Sequence, residues 1–296
     1  MIARGYAPCS FISKQQGGID MKGIEKLKQF LMESEFASIL TGAGVSTESG
    51  LQDFRGKDGL YKGKNPYDIA DIDVLFKDDR SEFVEFYTDR ISSLMNARPN
   101  IAHEILDNWQ KEGWIGRIIT QNVDGFHRSP GVVELHGNLS KLHCMKCGAS
   151  YLASRYVMLK GMEDKAYTCS KCEGFVRPNV ILFGESLSRR ALVEAYGTAH
   201  VSDLLIVMGT SLMVAPASDL PRIVKKQGGK IVIINRDKTD LDDMADLVIR
   251  WDKLHEVLEK VDAILPERLS PTVNRTTTSS EGLIGGSDIE FHEDVE

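Results

Sequence analysis

The densest chemistry in the chain lies in one stretch, Ile118 to His136, reading IITQNVDGFHRSPGVVELH. An apolar pair, Ile118 and Ile119, runs into the polar cluster Thr120–Asp124. After His127, a short polar loop and the pair Val132 and Val133 lead to a second imidazole, His136. Ligands gather at strand ends in α/β sheets. A carboxylate (Asp124), two amides (Gln121 and Asn122) and His136 meeting there would form a compact polar site. His136 suits the part of a base, because an unperturbed imidazole titrates near pH ~6.5. The plainer reading is a strand–loop–strand with solvated polar tips, and this stretch alone leaves it open.

A second constellation is Cys144-x-x-Cys147 and Cys169-x-x-Cys172, with 21 residues between the pairs. The fifth cysteine, Cys9, stands apart near the N-terminus. With no secretory signal ahead of them, paired CxxC knuckles indicate zinc rather than disulfides. Four thiolates close a tetrahedron and leave no open coordination position, so the expected Zn²⁺ is one structural ion.

A third is the Gly-rich run TGAGVSTESG, Thr41 to Gly50, after the apolar segment Phe36–Leu40. A strand, a Gly-rich turn and a helix can cradle phosphate, since glycine admits the ligand and helical N–H groups point at it. Gly42-Ala43-Gly44 is short of a full GxGxxG, and a tight turn explains it equally well. Asp53, Phe54 and Arg55 follow in a Gly-flanked loop. They suit a lid, with an aromatic to cover a ring and charges to hold ribose or phosphate. A surface loop anchored by one Phe is the bland alternative.

Short apolar runs must position these groups. Helical spacing is read over 22–34, over most of 66–98 with a break at Lys77–Arg80, from Ile101 to Trp109, from Arg189 to His200 and from Leu254 to Ile264. Strands are read at Phe36–Leu40, Ile115–Ile119, Val180–Phe183, Asp203–Met208, Ile231–Ile234 and Leu247–Ile249. Strands alternating with helices predict an α/β fold, a Rossmann-like doubly wound parallel sheet, beside a smaller zinc-binding and helical domain. The stripe Phe83, Phe86, Tyr87, Ile91 and Leu94 reads as core packing.

The chain has 296 residues, 42% hydrophobic and 27% charged, with a net charge of −7. That balance suits a globular protein and argues against a general nucleic-acid binder, which needs a basic field. It favours Lys-containing protein segments only weakly. No apolar run approaches the roughly 20 residues of a membrane helix, and no secretory h-region is present, so a cytoplasmic location is expected. Residues 1–21 read as a disordered extension. Residues 266–296 read as a disordered tail, with six acids and no Lys or Arg after Arg275.

In order along residues 22–265, TGAGVSTESG, DFRG, TQNVDGFH, ELHG, the two CxxC pairs, RPNVILFGE and GTSLMVAPASDLP resemble the sirtuin family of NAD-dependent protein-lysine deacylases, in its bacterial form. The resemblance implies Rossmann-like parts at about 22–58, 99–142 and 176–265, a helical insert at 59–98 and a zinc module at 143–175. NAD and an acyl-lysine protein segment would meet between the domains. It places Gly42, Ala43, Gly44, Thr47, Asp53, Phe54 and Arg55 around the cofactor loop. Gln121 and Asn122 fall at the nicotinamide ribose, Val123 and Asp124 at the carboxamide, and Gly209, Thr210, Ser211 and Asn235 at the adenosine half. Asn122, Asp124 and His136 form the catalytic set. Ile181, Phe183, Gly184, Glu185, Met213 and Val214 match the acyl-lysine channel. The implied chemistry is loss of nicotinamide, attack of the acyl oxygen on the anomeric carbon, proton removal from a ribose hydroxyl by His136, and release of lysine and O-acyl-ADP-ribose.

Two departures qualify this picture. The family's S-G-I-P before DFR is here Ser49-Gly50-Leu51-Gln52, and loss of Pro frees φ and restores an N–H. The segment between TQNVDGFH and ELHG is also short, Arg128 to Val133. Tyr87-Thr88-Asp89-Arg90 resembles the Tyr-x-x-Arg of a sirtuin branch that removes acidic acyl groups, with Pro99-Asn100 following. Arg90 could fork onto a succinyl or malonyl carboxylate beside Tyr87, or both could simply pack and solvate a helix face. A mono-ADP-ribosyltransferase on the same scaffold is the competing activity. A non-enzymatic NAD- and zinc-holding module would need a broken catalytic set, and none of its members is missing. Oligomeric state is not legible.

Overall fold

The computed structural model describes residues 12–13, 20–56, 59–63, 65–162 and 166–267. The expected N-terminal extension, apart from that short strand and residues 20–21, and the acidic tail beyond 267 lie outside them. In chain order the strands are β1 (Ile12–Ser13), β2 (Ala37–Thr41), β3 (Arg117–Thr120), β4 (Val133–Glu134), β5 (Gly137–Cys144), β6 (Ser150–Leu152), β7 (Val176–Val180), β8 (Leu204–Met208), β9 (Lys230–Ile234) and β10 (Leu247–Ile249).

Every residue of β2 and β8 is buried, as strands covered on both faces must be. They lie at the middle of a seven-stranded sheet ordered β1-β10-β9-β8-β2-β3-β4, with all neighbours parallel. From β2 the chain steps to β3 on one side and returns later as β8 on the other. The order reverses there, so a crevice opens beyond Thr41 and Met208, which are paired in register.

Helices cover both faces. Met21–Glu33, Ile101–Lys111 and Leu254–Asp262 bury their stripes in one core, with Ile24, Leu27, Leu106, Trp109 and Val257 fully enclosed. Asp20 caps the first of these by accepting from Lys22 N at 2.9 Å. Full burial of Leu27 contributes about 1.5–3 kcal/mol, and truncating it to Ala costs about 2–5. Arg189–Val201 and Leu220–Lys226 close the other face through Ala195, Ala199, Leu220 and Val224. Among the described residues no helix is long and apolar enough to cross a membrane.

The smaller unit is a three-stranded antiparallel sheet, β6-β5-β7. The helix Ser81–Asn96 packs on it through Phe83, Tyr87 and Ile91, and Ser154–Met158 through Tyr156.

Three local readings change. The run after Gly42 is a 3-10 helix of seven residues, Ala43–Ser49, not an α-helix. Leu220–Lys226 is a helix that begins in the last two residues of the motif Gly209–Pro221, where no element is expected. The expected strand Val180–Phe183 is displaced: β7 ends at Val180 and includes Pro178. Pro is tolerated because β7 pairs only with β5, so it is an edge strand. Beyond it, Ile181 N donates to His136 O at 2.9 Å and Phe183 N to Ala70 O at 2.8 Å.

Candidate active site

Two glycine loops meet at the crevice. Gly42 N donates to Met208 O at 3.0 Å and Gly44 N to Gly209 O at 2.8 Å. A Cβ on Gly44 would stand 2.7 Å from Gly209 Cα, and one on Gly42 would stand 2.6 Å from Thr210 Cβ. The approach of the two loops therefore excludes side chains, and it leaves their backbone open towards a cavity of about 600 Å³. That volume is within the usual range for a small-molecule site.

This cavity gathers most of the candidate residues. Gly42, Ala43, Gly44, Thr47, Asp53, Phe54, Arg55, Gln121, Asn122, Val123, His136, Gly209, Thr210, Ser211 and Asn235 line it, as do Tyr87, Arg90, Ile181, Phe183, Gly184, Glu185, Met213 and Val214. Asp124 is not part of the lining. Its half-buried carboxylate accepts from Ser46 Oγ at 2.7 Å and from Phe126 N at 2.9 Å.

Strand ends position the polar cluster. Thr41 and Thr120 are register partners, and Thr41 Oγ1 donates to Thr120 Oγ1 at 2.8 Å. Thr120 Oγ1 also accepts from Asn122 N at 3.0 Å, which fixes the turn. Asn122 Nδ2 then donates to Gly42 O and to Ser46 Oγ, both at 3.1 Å. Ser46 is thus the joint between Asn122 and Asp124, a part the sequence reading missed. His103 Nε2 reaches the same hydroxyl at 3.4 Å. The capping box Asn100–His103 sets that ring, and Asn100 Nδ2 holds Val45 O at 2.8 Å. The short loop after His127 is pinned by Asp107, which accepts from Arg128 N and from Ser129 N and Oγ.

His136 Nδ1 lies 3.1 Å from Gln121 O, and Gln121 Nε2 donates to Thr210 Oγ1 at 2.9 Å. Burial lowers the His136 pKa, against the opposing pull of the Gln121 carbonyl. Burial also lowers His103, and together with the neighbouring His103 ring it brings His127 down to about 3. All three imidazoles are therefore neutral near pH 7.

The lid residues fold inward. Phe54 packs at a tilt against Tyr61 with centroids 5.2 Å apart, and Asp53 Oδ1 accepts from Gly56 N at 2.7 Å. Tyr61, Arg236 and Trp251 line the cavity too and carried no sequence motif. Tyr61 follows Asp53, Phe54 and Arg55 in the run LQDFRGKDGLY, Leu51 to Tyr61, and that closeness in sequence is the available clue.

The four cysteine sulfurs lie within 4.8 Å of one another, with Cys144 to Cys172 at 3.5 Å and Cys147 to Cys169 at 3.6 Å. Disulfide sulfurs would be about 2.05 Å apart. A tetrahedron with Zn–S bonds of about 2.3 Å has edges of about 3.8 Å. Lys146 N and Lys171 N point at Cys144 and Cys169 Sγ at 3.4 Å, the knuckle arrangement. A Cβ on Gly174 would press on Lys146 Cβ at 2.6 Å and Cys144 Sγ at 2.9 Å, so the cradle is closed around the thiols. The donor set fits one structural zinc.

Fold and site together define an α/β enzyme built to hold a dinucleotide, with a metal-braced module forming the other wall of its cleft. More narrowly, the chain belongs to the Sir2 family, which matches residues 42–216. The NAD-dependent protein deacetylase 1 of Geobacillus kaustophilus (strain HTA426) is 45% identical over 245 residues, spanning 81% of this chain and 98% of that relative. A solved Sir2 variant holding a deacetylated p53 peptide and 3'-O-acetyl-ADP-ribose is 38% identical, with a TM-score of 0.76 over 81% of this chain and 97% of its own. A Sir2 bound to a propionylated peptide is 35% identical, with a TM-score of 0.72 over 81% of this chain and 98% of its own.

Proposed function

We propose that this protein is an NAD-dependent protein-lysine deacylase that releases nicotinamide and O-acyl-ADP-ribose. The observation that carries the reading is the placement of His136. Its ring lines the same cavity as the two glycine loops and the Ile181–Glu185 segment. One imidazole thus stands where a dinucleotide and an acyl-lysine side chain could meet. The named relative and the two peptide-bound structures support the same reading.

Bound NAD supplies an ADP-ribosyl group whose bond to nicotinamide is the one exchanged. In this reading the protein's own residues bind, orient and move a proton. The backbone of Gly42, Ala43 and Gly44 faces the phosphates, with Thr47, Asp53, Phe54 and Arg55 closing over them. Gly209, Thr210, Ser211 and Asn235 hold the adenosine half. Gln121 and Asn122 orient the ribose, while Val123 and Asp124 receive the carboxamide. Asp124 also orders Ser46 and the turn, through its bonds to Ser46 Oγ and Phe126 N. His136 Nε2 accepts a ribose hydroxyl proton. Four thiolates hold zinc away from the chemistry, with no coordination position for substrate.

The test is incubation with NAD and acetyl-, propionyl-, succinyl- and malonyl-lysine versions of one peptide, following nicotinamide and deacylated peptide by mass spectrometry. Nicotinamide release with ADP-ribose left on protein, and no deacylated peptide, would move the assignment to the ADP-ribosyltransferase reading.

A further inference from the structure

The segment Ile181–Glu185, just beyond β7, belongs to neither sheet, yet it lines the cavity. Its shape depends on a buried charge pair. Arg177 is 3% exposed and Glu185 is 19% exposed, so both charges are largely out of water. Arg177 Nη1 donates to Glu185 Oε1 at 2.6 Å, and Nη2 to Oε2 at 2.9 Å, a two-pronged fork. The same guanidinium donates from Nε to Pro178 O at 3.2 Å and from Nη2 to Val180 O. Glu185 Oε2 also accepts from Leu182 N at 2.8 Å. Burial pulls the Glu185 carboxyl up, but the Arg177 guanidinium and the Leu182 N–H together hold it below the usual range.

Both ends of this bracket are tied down. Arg177 is the ladder partner of His143, and the next pair along is Val176 with Cys144, a thiolate of the zinc set. Ile181 N, inside the bracket, donates to the backbone oxygen of His136. The bracket therefore joins the metal module, the channel wall and the backbone of the proposed base.

We propose that Arg177 and Glu185 are positioning residues for the acyl-lysine substrate: their fork, with the bonds to Val180 O and Leu182 N, sets the Ile181–Gly184 wall. The proposal rests on the deacylase reading above. A buried ion pair is weak evidence of a stability role, because desolvation offsets most of its attraction. A role in placing substrate separates cleanly from stability in the kinetics.

The experiment compares wild type, Glu185→Gln, and the double variant Arg177→Met/Glu185→Leu, which removes both charges and leaves none unpaired. Peptide KM, NAD KM, kcat and bound zinc are measured with an acetyl-lysine peptide. Both variants are expected to raise peptide KM about tenfold, with kcat and NAD KM within about twofold and zinc unchanged. Unchanged peptide KM in Glu185→Gln overturns the proposal. So does recovery of wild-type peptide KM in the double variant, or a joint loss of zinc and NAD binding, which marks a merely structural pair. Wild-type protein that turns over no acyl-lysine peptide refutes the deacylase reading itself, and this inference falls with it.

Discussion

His136 gives its Nδ1 hydrogen to the carbonyl oxygen of Gln121 at 3.1 Å. A carbonyl can only accept, so in the neutral ring the lone pair belongs to Nε2. Burial lowers the pKa of this ring, which keeps it neutral and basic at pH 7. A general base acts unprotonated, so the acid limb of kcat should fall below pH ~6.5, the ordinary histidine value. Replacing His136 by Ala should lower kcat by about 10²–10⁴ while NAD still binds in calorimetry. Full turnover by that variant, or an acid limb centred well above neutrality, would take the role away from His136.

Acid should loosen the fold at a different imidazole. His127 is 8% exposed, its Nε2 contacts Thr41 Oγ1 at 3.1 Å, and its Nδ1 is buried with no partner. The His103 ring lies 4.9 Å away, centroid to centroid. Burial and that neighbour depress the folded pKa to about 3. The unfolded chain then binds a proton below pH ~6.5 that the folded chain refuses, so stability falls as pH drops through that window. Between pH 7 and 5 the loss from this one group is roughly 2 kcal/mol. Urea unfolding of wild type and His127→Phe at both pH values measures it. Equal pH slopes in the two proteins would assign the acid sensitivity elsewhere.

How far the sequence could be read follows from how local each feature is. Cys144, Cys147, Cys169 and Cys172 were legible because two knuckles at close spacing have few other uses. Gly42 and Gly44 were legible as a turn, but the strict reason for glycine, contact with Gly209 and Thr210, joins chain positions far apart. The same distance hid Ser46 and His103, since nothing nearby marks a serine that serves Asn122 and Asp124 together. Arg177 and Glu185 open and close the motif RPNVILFGE, but only the turn after Val180 makes them partners. The apolar run Val180–Phe183 hides the strand that ends at Val180, because a proline such as Pro178 argues against a strand until the strand is known to lie at an edge. The helix Leu220–Lys226 was overlooked because Gly209–Pro221 was read as a single motif, although Pro221 near a helix start is favourable.

Zinc removal should act on the small module before the large one. The thiolates lie on β5, β7's neighbouring turn and their connecting loops, whereas the seven-stranded sheet has its own apolar cores. Cys147→Ser should therefore lose the metal and near-ultraviolet signal from Tyr151 and Tyr156, while far-ultraviolet helicity is mostly kept. Acyl-lysine turnover should be lost with it, because the channel wall hangs from β7. Metal analysis paired with both circular dichroism ranges checks this. A metal-free variant with full turnover would show that the module is dispensable.

Acyl choice should depend on Arg90. Its guanidinium is 5.1 Å from the Phe54 ring centroid, and Nη1 donates to Gln52 O at a long 3.3 Å. Burial lowers its pKa, but a guanidinium remains charged at any working pH. One turn earlier Tyr87 is 7% exposed, packed between Phe83 and Phe86 with its hydroxyl pKa raised by burial. Both residues line the cavity. A succinyl or malonyl carboxylate offers Arg90 a charge-assisted fork, stronger than the long bond to the Gln52 carbonyl. Hydrogen bonds to charged groups are worth about 1.5–3 kcal/mol, which is roughly 10- to 100-fold in rate. Arg90→Met should therefore lower kcat/KM for a succinyl-lysine peptide by that factor and leave the acetyl-lysine version within about threefold. The two peptides, assayed side by side with both proteins, decide it: equally slow desuccinylation by wild type and variant would leave Arg90 as a packing residue and the enzyme as a remover of neutral acyl groups.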